Sequence, residues 1–352
     1  MRQLPTSPAA ATEIMGLFKD LLKLSNLKKG ETVLVYCDTL TPPFYPAAAL
    51  GAAHEMGAVV AQMMVPATSP AVQPWAPDVP EAKPEMIMSA WLGADLVVDM
   101  ITGAGQFYTP ITTAALKSGT RVLRLMAELD DLRRMWPSDA VKNRVLAGKA
   151  VMEKGSSIRV TSAAGTDLIM SKAGRPASIQ YGRADEPGRW AMPNEGQVAC
   201  APVEGTTEGT LVLNTGDIIL NLARYVADPV TLTIEKGAIT RIEGGLEAFL
   251  LRDWFETWKD PKAYIVSHIG WGCHDRASWH RMGNLWQGAG GFMDCESYYG
   301  NMQIAFGSNM SASLAGTNDS RAHIDIQCRH NDFWVDDLQV MEAGQFLVEE
   351  LK

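Results

Sequence analysis

What this chain of 352 residues lacks narrows its chemistry before any motif is read. Its cysteines, Cys37, Cys200, Cys273, Cys295 and Cys328, are odd in number and show no repeated CxxC spacing. Free thiols in a reducing compartment are the expectation, rather than a disulfide framework or a thiolate zinc site. Basic charge is in deficit, since 31 Lys and Arg face 40 Asp and Glu for a net charge of −9. That balance argues against a nucleic-acid partner, which wants a basic face, and against a basic membrane-surface patch. No apolar run reaches the roughly 18 residues of a membrane span. The stretch "MRQLPTSPAAATEIMGLFKDLLKL" has no apolar core flanked by a cleavage site, so the expected location is the cytoplasm. A full dinucleotide fingerprint is missing too. In "DMITGAGQF" Gly103 and Gly105 are followed by Tyr108, so this turn reads as a pocket-lining loop at a strand end rather than a cofactor loop. Internal repeats and low-complexity tracts are absent.

What is present begins as α/β. "TEIMGLFKDLLKLSNL" has apolar residues at helical spacing, with Thr12 as a candidate cap. Strand-like runs "ETVLVYCD", "AVVAQMMVP", "DLVVDMI" and "RVLRLM" alternate with helical "PAAALGAAHEMG", "EMIMSAWLGA" and "PITTAALKSG". This order predicts a parallel sheet covered by helices. From about Met152 the texture changes to strands with turn glycines, including a hairpin through Lys236-Gly237 in "IEKGAITRIEGG". The expected fold is an α/β N-terminal domain with a parallel sheet, over 1–150, followed by an α+β domain rich in antiparallel strands, over 151–352. The second domain is expected to carry a mononuclear metal site.

Three of the six histidines lie in "SHIGWGCHDRASWH". His268 follows a strand-like run and precedes small residues that let other groups come close, a setting that suits a pocket. His274 and His280 flank polar "DRASW" at a spacing unsuited to one-face chelation, and both are expected at the surface. His54, on a helix, and His330, in a turn, are expected to be structural or solvent-facing. In "AHIDI" the residues His323 and Asp325 are two apart on a strand, so they share a face. They can chelate one cation, or simply hydrogen-bond to each other. Together with His268 they make two histidines and one carboxylate. That set suits non-haem Fe(II), with open positions for substrate and dioxygen. Zinc with an activated water accepts similar ligands.

The stretches "YGRADEPGRW", "EGTLVLNTGDIIL", "IEKGAITRIEGG", "SHIGWG", "MDCESYYGN" and "AHIDI" resemble the 2,5-dihydroxypyridine 5,6-dioxygenase family. The resemblance covers most of the chain. It implies an Fe(II)-dependent, extradiol-type dioxygenase that opens a hydroxylated N-heteroaromatic ring, with N-formylmaleamate as the product from 2,5-dihydroxypyridine. It also implies Fe(II) ligands at His268, His323 and Asp325, and a homo-oligomer, a hexamer. A wider likeness is to the M29 aminopeptidases, which hold two metals. Their further ligands fall at Gln197, His268 and Gln303 here, which implies loss of a second cation. The relatives' pocket histidines fall at about Gly105 and Met192, and a serine falls at Ala305, which leaves the ring substituents of the substrate open. Candidate substrate-facing residues are Gln106, Arg189, Trp190, Met192, Trp271, Tyr299 and Gln303. Arg189 could instead pair with Asp185 or Glu186, and core packing is the default for the tryptophans. The rival readings are a metal-dependent aminopeptidase or amide hydrolase, and a solute-binding protein without catalysis.

Overall fold

The computed structural model describes residues 8–67, 83–101, 109–125, 129–284, 292–311 and 313–352. The chain divides into two compact units, one mainly from Met1–Trp136 with Gly182–Asn194, the other mainly from Pro137–Tyr181, Glu195–Trp286 and Gly290–Lys352.

The first unit is built on a parallel sheet. Its strands lie in the order Val59–Val65, Thr32–Asp38, Leu96–Asp99, Arg121–Arg124 and Trp190–Ala191. The central strands read as unbroken apolar runs because helices cover both faces. Val33, Val35 and Val98 pack with Ile14, Phe18 and Leu21 on one side. Leu34, Tyr36 and Val97 pack with Ile87 and Trp91 on the other. The alternation expected from sequence is therefore present. One local expectation fails: the first helix runs Pro8–Leu24, so Thr12 lies inside it and is not its cap. Gly119 ends the helix Pro110–Ser118 at φ 96°, a left-handed conformation that a side chain would strain. The turn containing Gly103 and Gly105 lies outside the described residues.

The second unit holds two antiparallel sheets. The eight-stranded one includes the hairpin Val230–Glu235 and Ala238–Glu243, closed by Lys236 at φ 50° and Gly237 at φ 78°. The seven-stranded one contains, side by side, Val266–Gly272, Met302–Gly307 and His323–Cys328. A shared core of Ile, Val, Leu and aromatic residues includes Leu211, Leu232, Trp271, Ile304, Phe306, Ile324, Ile326 and Phe333. All five cysteines are buried and unpaired. No helix among the described residues is long and apolar enough to cross a membrane.

Candidate metal centre

The period of two along three neighbouring strands builds the site. Ile269, Trp271, Ile304, Phe306, Ile324 and Ile326 turn to the core. Their neighbours His268, Ala305, His323 and Asp325 must then turn to the other face. The register completes the arrangement. His268 pairs with Ala305, which pairs in turn with Asp325, and His323 sits in the next row opposite Gly307. Ala305 leaves only a methyl group between an imidazole and a carboxylate. A slip of one residue would send the histidine and aspartate into the core, so burial of the isoleucines fixes the register.

His268, His323 and Asp325 offer donor atoms that all lie within 4.8 Å of one another. His268 Nε2 is 3.3 Å from Asp325 Oδ1, and His323 Nε2 is 3.4 Å from the same oxygen. These contacts lack hydrogen-bond geometry, and both Asp325 oxygens are buried without a hydrogen-bond partner. A buried carboxylate left in that state is costly. Two donors bound at about 2.1 Å to one cation and at right angles would stand about 3.0 Å apart. The observed spacing is close to that, and two imidazoles with one carboxylate suit a divalent transition metal. The residues present therefore fit a metal.

Neighbouring groups orient the donors. His323 Nδ1 donates to the Ser308 carbonyl at 2.9 Å, which leaves the Nε2 lone pair toward Asp325. The same carbonyl accepts from the Ser267 hydroxyl at 2.6 Å. Asn221 uses both ends of its amide. Its Nδ2 donates to the His323 carbonyl at 3.1 Å, and its Oδ1 accepts from the Asp325 backbone N–H at 2.8 Å. Burial lowers the His268 pKa, against the pull of Asp325. Burial also works to lower His323, but the Asp325 charge outweighs it and the pKa is raised. Burial opposes ionisation of Asp325 as well, yet the two histidines hold it below the usual carboxylate range.

A second polar group, only Gln303 of it on these three strands, lies alongside them. Gln303 Nε2 donates to Gln197 Oε1 at 2.7 Å. Gln197 Nε2 donates to Glu195 Oε1 at 3.0 Å and to Glu296 Oε2 at 3.4 Å. Burial, then the charges of Asp325 and Glu195, push Glu296 well above the ordinary glutamate range. Sequence reasoning did not single out Asn221, Glu195 or Glu296. Glu296 lies in "MDCESYYGN", a stretch that stands out in the sequence only for its family resemblance.

The other candidates fare unevenly. Arg189 pairs with Glu186 at 3.0 Å and approaches Asp185 at 3.9 Å, the salt-bridge alternative. Trp190 packs, partly buried, in the first unit, where Met192 is also buried. Trp271 belongs to the core on the opposite face of its strand, edge-on to Phe333, so it does not stack over the site. Tyr299 donates its hydroxyl to the Leu351 carbonyl and packs on Phe346. Gln106 lies outside the described residues. His54, His280 and His330 are exposed, as expected. His274 is not: it is 1% exposed, with its Cβ against Gly196 and its Nδ1 accepting from the Arg276 N–H. Its polar sequence neighbours concealed a buried position.

Comparison with known proteins adds to this geometry. The family model for NicX, 2,5-dihydroxypyridine 5,6-dioxygenase, matches residues 13–348. A curated 2,5-dihydroxypyridine 5,6-dioxygenase from Pseudomonas putida is 35% identical over 349 residues, covering 97% of this chain and 98% of that protein. The solved structure of the 2,5-dihydroxypyridine dioxygenase from Pseudomonas putida KT2440 superposes with a TM-score of 0.88 at 34% identity, covering 99% of this chain and 100% of that one. Wild-type AmpT from Thermus thermophilus superposes with a TM-score of 0.64 at 15% identity, over 96% and 99% of the two chains, a likeness of fold.

Proposed function

The chain belongs to the 2,5-dihydroxypyridine 5,6-dioxygenase family, and we propose that it opens the ring of 2,5-dihydroxypyridine, or a close hydroxylated N-heterocycle, with both atoms of dioxygen. We assign Fe(II) to His268, His323 and Asp325. The observation that carries the reading is the buried two-histidine, one-carboxylate cluster, whose Asp325 oxygens have no other partner.

Fe(II) bound there would supply open positions at which a deprotonated ring hydroxyl and dioxygen meet. The protein's own part is geometry and charge. Asp325, held ionised, offsets cationic charge. His323 is fixed in one tautomer by Ser308. Asn221 holds the backbone of both residues. Burial of the row keeps bulk water from the reacting atoms. Burial, then the charges of Asp325 and Glu195, push the Glu296 carboxyl well above the ordinary glutamate range. Ala305 leaves room beside the donors.

The test is oxygen uptake by anaerobically purified, Fe(II)-loaded protein given 2,5-dihydroxypyridine. The expected result is stoichiometric oxygen consumption with N-formylmaleamate as product. Oxygen-independent peptide or amide hydrolysis instead would favour the aminopeptidase chemistry of the wider fold group.

A further inference from the structure

The chain of amides beside the metal centre has a direction, and chemistry sets it. An ionised carboxylate only accepts hydrogen bonds. Glu195, whose charge is among those that raise Glu296, therefore takes the Gln197 NH2 at 3.0 Å, and Glu296 Oε2 accepts from the same NH2 at 3.4 Å. The Gln197 carbonyl oxygen is then left for Gln303, which must answer with its own NH2. What remains is Gln303 Oε1. This oxygen is buried and has no hydrogen-bond partner, in a residue of 0% exposure. Gln303 is two residues from Ala305 on the same strand, so it shares the sheet face of His268 and Asp325, one row away.

We propose that Gln303 is a specificity-determining residue, and that its carbonyl oxygen accepts a hydrogen bond from the ring N–H of the substrate in its 2-pyridone form. This deepens the proposed function and rests on it. 2,5-Dihydroxypyridine has a tautomer, 5-hydroxy-2-pyridone, with an N–H in the ring. A benzene ring of the same size has no such donor. A buried acceptor that cannot rotate to become a donor discriminates between the two. Rotation is blocked because it would set Gln303 Oε1 against Gln197 Oε1, and turning Gln197 as well would set its oxygen against the charged Glu195. The discrimination is strong because an unmade hydrogen bond at a buried site carries the full desolvation cost.

The experiment is anaerobic calorimetric titration of the Fe(II)-loaded protein with 5-hydroxy-2-pyridone, its N-methyl derivative and hydroquinone. The wild type should bind the N–H compound about 10- to 100-fold more tightly than either comparator, the range expected for one buried hydrogen bond. In Gln303→Leu and Gln303→Met that preference should collapse to within about threefold, by weaker binding of the N–H compound alone. Equal binding of all three ligands by the wild type overturns the proposal without recourse to any variant. So does a preference that survives both substitutions, which would mean that Gln303 Oε1 is satisfied by Gln327, its cross-strand partner, whose Nε2 also lacks a bond. Selective binding without oxygen uptake would remove the catalytic reading and leave this one standing. Oxygen uptake with unaltered preference in the variants would do the reverse.

Discussion

At the scale of single residues, a two-residue interval in a strand puts His323 and Asp325 on one face, and cross-strand register brings His268 to them. His268→Ala, His323→Ala and Asp325→Ala should each lose bound iron and oxygen uptake while keeping the far-UV spectrum of the wild type. Iron at the wild-type level in any one of them would remove that residue from the ligand set. His280→Ala should be neutral, since the side chain is exposed. His274→Ala should keep its iron but lose about 1–2 kcal/mol of stability, because it empties a buried position. Metal analysis and urea unfolding on the same samples separate these outcomes. The HxD pair was legible because strand periodicity is local, and His268 because small residues follow it. Glu195, Glu296 and Asn221 were not, since a lone carboxylate or amide in a loop or a single helical turn carries no pattern. Their roles arise from residues far away in the chain. His274 was misread for the converse reason: the polarity of its neighbours says nothing about what packs over it.

At the scale of elements, the strand His323–Cys328 shows how an edge is finished by a side chain. Its neighbour Ile218–Ile219 reaches only two of its residues, Gln327 and Ile326. The chain then leaves through the tight turn Leu220–Leu222. Where the next strand residues would have bonded, the Asn221 amide takes over, with one donor and one acceptor spaced like a peptide group. Asn221→Ala should therefore loosen the backbone that carries two of the three ligands. The expected result is about 10-fold weaker Fe(II) retention, the usual scale for loss of an outer-shell support. Asn221→Asp should be worse, since it sets a carboxylate against the His323 carbonyl. Iron affinity is the readout, with the melting temperature of the metal-free protein as control. A fall in melting temperature with no change in iron affinity would make Asn221 a structural residue only. The long strands, the helices and the Lys236-Gly237 hairpin were readable from periodicity and turn chemistry. The two-residue strand Trp190–Ala191, which completes the parallel sheet, was not, because two residues have no period.

At the scale of the whole molecule, the acidic balance hides one carboxylate that favours folding at low pH. Asp217 is 4% exposed and ties two distant pieces of chain together. Its Oδ2 accepts from the Asn214 N–H at 2.8 Å and its Oδ1 from the Arg329 N–H at 3.0 Å. Burial pushes its pKa up to about 6, against the lowering effect of these hydrogen bonds. An unfolded aspartate titrates near 3.9. Between those values the folded state binds the extra proton, so stability must fall as pH rises from about 4 through about 6 and then level off. The gap between the folded and unfolded values corresponds to a loss on the order of 3 kcal/mol. Other carboxylates titrate in the same window, so the wild type alone cannot report this group. Asp217→Asn removes the titration while keeping size and one acceptor. Losing the second acceptor lowers stability by an amount independent of pH, so the shape of the two curves carries the information. Urea midpoints of the metal-free proteins, measured from pH 4.5 to 8, should show the variant gaining on the wild type up to about pH 6 and holding a constant offset above it. Parallel curves across the whole range would mean that Asp217 is ionised in the folded protein throughout, with its two backbone donors outweighing its burial.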